Sequence, residues 1–168
     1  IIIHILVSVL IFTLINLIAK NNKIALLASL LFLIHPVHTE VTSYISGRSD
    51  SLAALFLLGS FILYIKHDIE LFNKIKNKLY LIFSIMLFGF ALLAKETALV
   101  YPFVLFFYDY AIKKERKIAR YRKHSIFFLL FFFYAILRLT KLNFLGAYGL
   151  SFFPAPSPFF YRFITSAK

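Results

Sequence analysis

The segment from His35 to Asp50, HPVHTEVTSYISGRSD, concentrates ionisable side chains between two apolar stretches. Ionisable groups beside a hydrocarbon phase are costly to desolvate unless they are paired or used. Such a segment therefore suits hydrogen bonding to an anionic substrate, which these side chains would orient. The candidate substrate-orienting residues are His35, His38, Glu40, Arg48 and Asp50.

Two other interpretations of this segment stay open at the level of sequence. In the structural one, Ser49 or Asp50 caps a helix starting near Ser51, and Arg48 pairs with Asp50 or Glu40. In the metal-binding one, imidazoles three residues apart share a helical face. Pro36 argues against a metal because it disfavours a helical conformation at the preceding His35, and no carboxylate has the spacing of a zinc-hydrolase helix. We therefore expect no metal site.

Three further charged residues lie at the ends of apolar stretches. Lys95 and Glu96 interrupt the apolar run from Leu79 to Tyr108. Neighbouring helical residues point about 100° apart, so we expect each to meet a partner elsewhere, although a simple turn also fits. Arg138 follows SIFFLLFFFYAIL, where its guanidinium could bind a lipid phosphate or extend to headgroups. Lys95, Glu96 and Arg138 are therefore further candidate site residues.

Two polar residues within the apolar stretches have structural interpretations. Asp109 precedes Lys113 by four residues, a spacing that predicts an ion pair one helical turn apart. His4 is predicted to hydrogen-bond between helices, as polar side chains do in membrane bundles.

The elements that would position these residues are apolar helices. The stretches are continuously apolar, whereas strands of a membrane barrel alternate apolar and polar residues. The sequence thus predicts an all-α, multi-pass bundle. Six candidate spans lie at 1–19, 24–34, 51–65, 79–94, 97–112 and 125–137, with an outward-facing interfacial segment at 138–168.

The Lys and Arg distribution predicts the orientation. With alternate loops assigned to opposite sides, 13 of the 19 basic residues fall on one side, which the positive-inside rule makes cytoplasmic. Residues 113–123 supply seven of them, and we interpret that run as a solvated loop near anionic lipid rather than a nucleic-acid site. The segment from His35 to Asp50 then faces outward.

Composition excludes the soluble enzyme classes. The chain is 61% hydrophobic and only 15% charged, whereas soluble domains carry about 25% charged residues. Cysteine is absent, so disulfides, thiolate metal sites and cysteine nucleophiles are excluded. Because the first residue is Ile1 and the only methionine is Met86, we expect a piece of a longer protein.

Three motifs in order, HPVHTE with SGRSD, then AKE in LLAKETALVYPFVLFFYDY, then FYAILRL, resemble a known family. They are similar to the membrane domain of the transmembrane and tetratricopeptide-repeat-containing O-mannosyltransferases. The resemblance covers nearly the whole chain and also extends to bacterial relatives.

The resemblance implies a C-type glycosyltransferase that moves mannose from a dolichyl or other polyprenyl phosphate to Ser or Thr hydroxyls of a protein. It implies a lumenal or periplasmic site, in the endoplasmic reticulum membrane or the bacterial inner membrane, and no cofactor. It further implies an acidic base in the first outward loop and cations at the departing phosphate, for which Lys95 and Arg138 are the candidates. Glu96 joins the substrate-orienting candidates. We expect that base and the tetratricopeptide repeats outside these 168 residues, so the catalytic residue stays unassigned and the piece alone is expected to be inactive.

Two alternatives remain. One is a transporter or scaffold whose polar residues pair with one another, although no internal repeat relates the first three stretches to the last three. The other is a lipid-linked-sugar transferase with another sugar or acceptor, because specificity depends on pocket geometry. Membrane lipids, the lipid-linked donor and an acceptor protein are the expected partners, and nucleic acid is not.

Overall fold

The computed structural model describes residues 1–38, 47–69, 74–113 and 118–140. These residues form six α-helices and one short 3-10 helix, and the described ranges contain no strand. The helices are α1 (Ile2–Ala19), α2 (Asn22–Ile34), α3 (Arg48–Ile69), α4 (Lys74–Ala94), α5 (Tyr101–Lys113) and α6 (Ile118–Thr140), with the 3-10 helix (Glu96–Val100) between α4 and α5. The predicted all-α architecture is confirmed.

A two-residue turn joins α1 to α2. Lys20 takes a left-handed conformation, with φ 51°, and its N–H donates to the Asn16 carbonyl at 3.0 Å. The Asn21 side chain then accepts hydrogen bonds from the N–H groups of Lys23 and Ile24, at 3.0 and 3.3 Å. Such caps satisfy backbone groups that a helix end leaves unpaired, so α1 and α2 can reverse direction within a short turn.

Three helices are long and apolar enough to cross a membrane by length and composition: α1, α3 and residues Ile75–Ala94 of α4. The chain is accordingly a membrane protein. Helix α2 is apolar but has 13 residues. At 1.5 Å per residue it is about 20 Å long, less than the roughly 30 Å of a bilayer core. The six crossings stay a prediction.

The chain divides into two compact units, residues 1–128 and 129–168. In the first unit, α3 packs most extensively on α4, and α1 packs on both α2 and α3. Aromatic rings fill its centre: Phe88 lies 5.2 Å from Tyr101 and 5.7 Å from Phe127, measured between ring centroids. The second unit is described for residues 129–140, the last turns of α6.

A serine pair joins α3 to α4 in the interior of the first unit. The Ser60 hydroxyl donates to the Ser84 carbonyl and the Ser84 hydroxyl donates to the Ser60 carbonyl, both at 2.8 Å. The Tyr101 hydroxyl from α5 donates to the Ser60 oxygen at 2.9 Å. Beside them, a Cβ atom added at Gly59 would lie 3.1 Å from the end of the Leu87 side chain. The absence of a side chain at Gly59 therefore permits α3 and α4 to approach each other closely. Small residues and hydroxyls at an interface are typical of helices packed within a membrane.

Several boundaries differ from those that the sequence predicted. Helix α3 begins at Arg48 rather than near Ser51, so Ser49 and Asp50 lie in its first turn and do not precede it as caps. Residues 97–112 form not one helix but the end of the 3-10 helix followed by α5, whose second residue is Pro102. Proline suits this position because the first N–H groups of a helix have no partner within it.

Helix α6 also differs from its prediction at both ends. It begins at Ile118, inside the run that the sequence indicated to be a loop, and it ends at Thr140 rather than before Arg138. The proposed interfacial segment therefore starts with helical residues, and residues 141–168 lie outside the described part of the chain.

Candidate functional site

An ion pair between Lys95 and Asp50 joins α4 to α3. The Lys95 ammonium donates a hydrogen bond to Asp50 Oδ1. The side chains are 29% and 41% exposed, so the pair is only partly shielded from solvent. The predicted partner of Lys95 elsewhere in the bundle is thus found. The partner of Asp50 is this lysine, not Arg48, which lies exposed on the first turn of α3.

The backbone explains why Lys95 is available for this contact. Helix α4 ends at Ala94, and Lys95 is extended, with φ −158° and ψ 142°. The 3-10 helix begins at the next residue, Glu96, which is exposed. Asp50 lies in the first turn of α3, where a negative charge interacts favourably with the helix dipole. The N-terminal end of α3, with the acidic Asp50, therefore meets the C-terminal end of α4, with the basic Lys95.

Four rings form what we call the histidine cluster: His4, Phe32, His35 and His38. The His38 ring centroid lies 4.2 Å from that of Phe32, 5.2 Å from that of His4 and 6.0 Å from that of His35. His35 ends α2 in an extended conformation, as the proline after it predicts. The Val37 N–H donates to His35 Nδ1, and the His38 N–H to the His35 carbonyl, both at 3.2 Å. The cluster thus brings α1 to the segment that follows α2.

His38 has a lowered pKa. Partial removal from water is the largest cause, and electrostatic repulsion from His4 and His35 adds to it. Both effects disfavour the protonated imidazole. At neutral pH His38 is therefore held in the uncharged form, which offers both a hydrogen-bond donor and an acceptor.

Of the two remaining candidates, Glu40 and Arg138, the structure describes only Arg138. Glu40 lies in the segment 39–46, outside the described residues, which connects the histidine cluster to α3. Arg138 belongs to the second unit, where its guanidinium donates to the Tyr134 hydroxyl at 3.1 Å. Among the described residues, no group of three or more metal-binding side chains is placed to hold an ion.

A second polar centre, which we call the buried network, lies toward the opposite end of α3. The Tyr64 hydroxyl donates to Asp109 Oδ2 at 2.7 Å, and His124 Nε2 lies 3.0 Å from the same oxygen. These three side chains come from α3, α5 and α6, and they are 1%, 2% and 5% exposed. Fourteen residues separate Asp50 from Tyr64 on α3, which places the two centres about 21 Å apart.

The buried network concerns one prediction that stays open and one that is corrected. Asp109 bonds to side chains of two other helices, and the side chain of Lys113 lies outside the described part of the chain, so the ion pair between Asp109 and Lys113 stays a prediction. Lys123, which the sequence assigned to a solvated loop, lies on α6 beside His124. The Lys123 ammonium donates to Asp68 at 2.6 Å, and His124 belongs to the buried network. His4, by contrast, makes the predicted contact between helices, with Nε2 3.3 Å from the Leu33 carbonyl.

The two centres suit different chemistry. The Lys95–Asp50 pair and the histidine cluster are partly exposed. Along the chain, His38 of the cluster precedes segment 39–46 and Asp50 of the pair follows it. The pair contains a cation, and the cluster contains an uncharged imidazole. The buried network is closed to solvent and connects three helices, which is the arrangement of a structural contact.

Comparison with known proteins finds protein O-mannosyl-transferases among the chain's relatives. The chain is 36% identical over 115 residues to protein O-mannosyl-transferase TMTC1 of Mus musculus, covering 65% of this chain and 12% of that protein. It is 43% identical over 77 residues to protein O-mannosyl-transferase TMTC4 of the same species, covering 44% and 10%. A third relative, protein O-mannosyl-transferase F38B6.6 of Caenorhabditis elegans, is 47% identical over 45 residues, covering 27% and 6%.

No family model matches the chain, and no solved structure does. The chain spans about an eighth of the length of TMTC1, so the matches concern one segment of a much longer protein. The resemblance to this family is confirmed, with a match over 65% of the chain rather than nearly all of it. The chain is similar to part of the TMTC-type protein O-mannosyl-transferases.

Proposed function

We propose that the intact protein is a glycosyltransferase that moves mannose from a dolichyl or polyprenyl phosphate to Ser or Thr hydroxyls of proteins. The observation that carries this proposal is the 36% identity to a protein O-mannosyl-transferase over 65% of the chain. The apolar helices that place the chain in a membrane support a lipid-anchored donor over a soluble one. The lumenal or periplasmic side is supported by the Lys and Arg distribution.

Lys95 is our first choice for contact with the donor phosphate. Cleavage of the bond between mannose and phosphate leaves negative charge on the phosphate oxygens, which a cation stabilises more strongly as the bond breaks. Lys95 is held at the end of α4 by Asp50, so its ammonium is fixed before the donor arrives. Arg138, at the end of the long apolar part of α6, is the second candidate for the same role.

His35 and His38 of the histidine cluster, together with Arg48, are the candidate contacts for sugar or acceptor. His38, uncharged because its pKa is lowered, can donate one hydrogen bond and accept another, as recognition of a hydroxyl requires. Glu40 and Glu96 are proposed to orient the same substrates. No residue of this chain is proposed as the base that takes the proton from the acceptor hydroxyl.

The test is transfer by the intact protein reconstituted in vesicles with three donors: dolichyl-phosphate mannose, dolichyl-phosphate glucose and GDP-mannose. Mass spectrometry of an acceptor protein locates the sugar. The proposal predicts mannose on Ser or Thr with the first donor only. Transfer from GDP-mannose without a lipid intermediate would contradict the lipid-linked donor, and transfer of glucose alone would assign another sugar.

A further inference from the structure

His4 connects α1 to the end of α2 through two kinds of contact. Its ring stacks on Phe32, with centroids 5.1 Å apart and planes at 28°, and it lies 5.2 Å from His38. Its Nε2 lies 3.3 Å from the Leu33 carbonyl oxygen. Since a carbonyl oxygen only accepts, Nε2 carries the hydrogen. A single side chain thus contributes both ring packing and a hydrogen bond.

The carbonyl that His4 contacts belongs to the last turn of α2. The last four carbonyls of a helix have no partner within it, and Leu33 is one residue before the end of α2. Beyond that end, the described hydrogen bonds of residues 35–38 are local: Val37 and His38 both bond back to His35. The contacts from His4 therefore tie this locally folded segment to another helix.

We propose that His4 is a positioning residue, which holds His38 and the HPVH segment in the place from which they contact substrate. The inference rests on the proposed function, because it concerns the same site. His4 lies on α1, 34 residues before His38 in the sequence. The motifs that carry the family resemblance do not include His4. His4 itself is not proposed to touch the sugar, the acceptor or the phosphate.

Two substitutions separate the two contacts of His4. His4→Phe keeps an aromatic ring against Phe32 and His38 but removes the N–H that reaches Leu33. His4→Gln keeps an N–H donor but removes the ring. Thr13→Val is the matched control, because Thr13 lies on the same helix and its hydroxyl bonds only one turn back, to the Val9 carbonyl at 2.9 Å.

The experiment measures steady-state mannose transfer by the intact protein and, separately, the NMR titration of His38, assigned with a His38→Asn variant. We expect kcat/KM to fall roughly 10- to 100-fold in both His4 variants, as small misplacements of a reacting site cause. We expect the His38 titration to move to higher pH in both, because the repulsion from His4 is lost. Thr13→Val should change neither quantity.

The two readouts keep the inference separate from the proposed function. An active protein whose His38 titration and turnover are unchanged in both His4 variants overturns the inference alone. Turnover that falls only in proportion to the folded fraction, with an unchanged His38 titration in the folded protein, also overturns it. Wild-type protein that transfers no mannose overturns the proposed function, while a shifted His38 titration would still support positioning of His38 by His4.

Discussion

Removal of the Tyr64 hydroxyl is the sharpest test of the buried network. Tyr64→Phe keeps the ring and deletes the hydrogen bond to Asp109, whose 2.7 Å length and charged acceptor place it among the stronger ones. In water-soluble proteins such bonds contribute about 1.5–3 kcal/mol. In a bilayer the unfolded helices find other partners, and measured values average about 0.6 and reach about 1.7 kcal/mol.

We expect Tyr64→Phe to lower the free energy of unfolding by about 1.5 kcal/mol, near the upper membrane value, because donor and acceptor are both almost fully buried. That corresponds to roughly a tenfold change in the folding equilibrium constant. Steric trapping of the intact protein in bicelles measures this quantity. Tyr110→Phe is the control: Tyr110 lies beside Asp109 on α5 but is 69% exposed, so its change should stay below about 0.5 kcal/mol.

A double-mutant cycle with Asp109→Asn completes this test. If Tyr64 acts through Asp109, the two changes together should cost less than their sum, by an interaction energy of about 0.5 kcal/mol or more. Strict additivity, or equal effects of Tyr64→Phe and Tyr110→Phe, would refute the claim that this hydrogen bond stabilises the packing of α3 on α5.

Three further predictions concern other parts of the chain. Ser60→Ala should cost about 1 kcal/mol of unfolding free energy, because the Ser84 carbonyl loses its donor and the Tyr101 hydroxyl loses its acceptor, whereas an unchanged value would contradict a stabilising role of the Ser60 hydroxyl. Since the pKa of His38 is lowered, the unfolded chain takes up its proton more readily, so packing of the histidine cluster should be strongest above pH 6.5 and weaken as pH falls through that value. Amide protection factors after α2, corrected for the intrinsic pH dependence of exchange, should be smaller at pH 5 than at pH 8. Arg138→Ala should weaken binding of the lipid-phosphate donor, and unchanged donor binding and turnover would remove Arg138 from the phosphate site.

Local rules predicted the features that depend on neighbouring residues. The extended conformation of His35 follows from the proline after it, and the end of α2 lies there. The helices themselves follow from their continuous apolar runs. The start of α3 was misplaced because the prediction looked for a cap among Ser49 and Asp50, whereas a first helical turn also accepts such residues.

The sequence predicted that some polar side chains contact another helix, but it did not predict which residue each of them contacts. The sequence indicated that Lys95 needs a partner elsewhere, but that partner, Asp50, depends on how α3 and α4 are packed. For Asp109 the four-residue spacing predicted a local partner, and it gave no indication that the packing of α3, α5 and α6 brings Tyr64 and His124 to the same carboxylate. Clusters of this kind have no signature in linear spacing, because their members come from different helices.

The most direct test of the central claim is the rate of mannose transfer by the intact protein against the concentration of dolichyl-phosphate mannose, in wild type and Lys95→Gln. Lys23→Gln, an exposed lysine in the first turn of α2, is the matched control. Loss of a charged contact to the leaving phosphate should lower kcat/KM roughly 10- to 100-fold. This loss is smaller than that for a fully buried hydrogen-bond donor, because Lys95 is partly exposed and already paired with Asp50. The account predicts that loss for Lys95→Gln and wild-type rates for Lys23→Gln. Equal rates for all three proteins would contradict it.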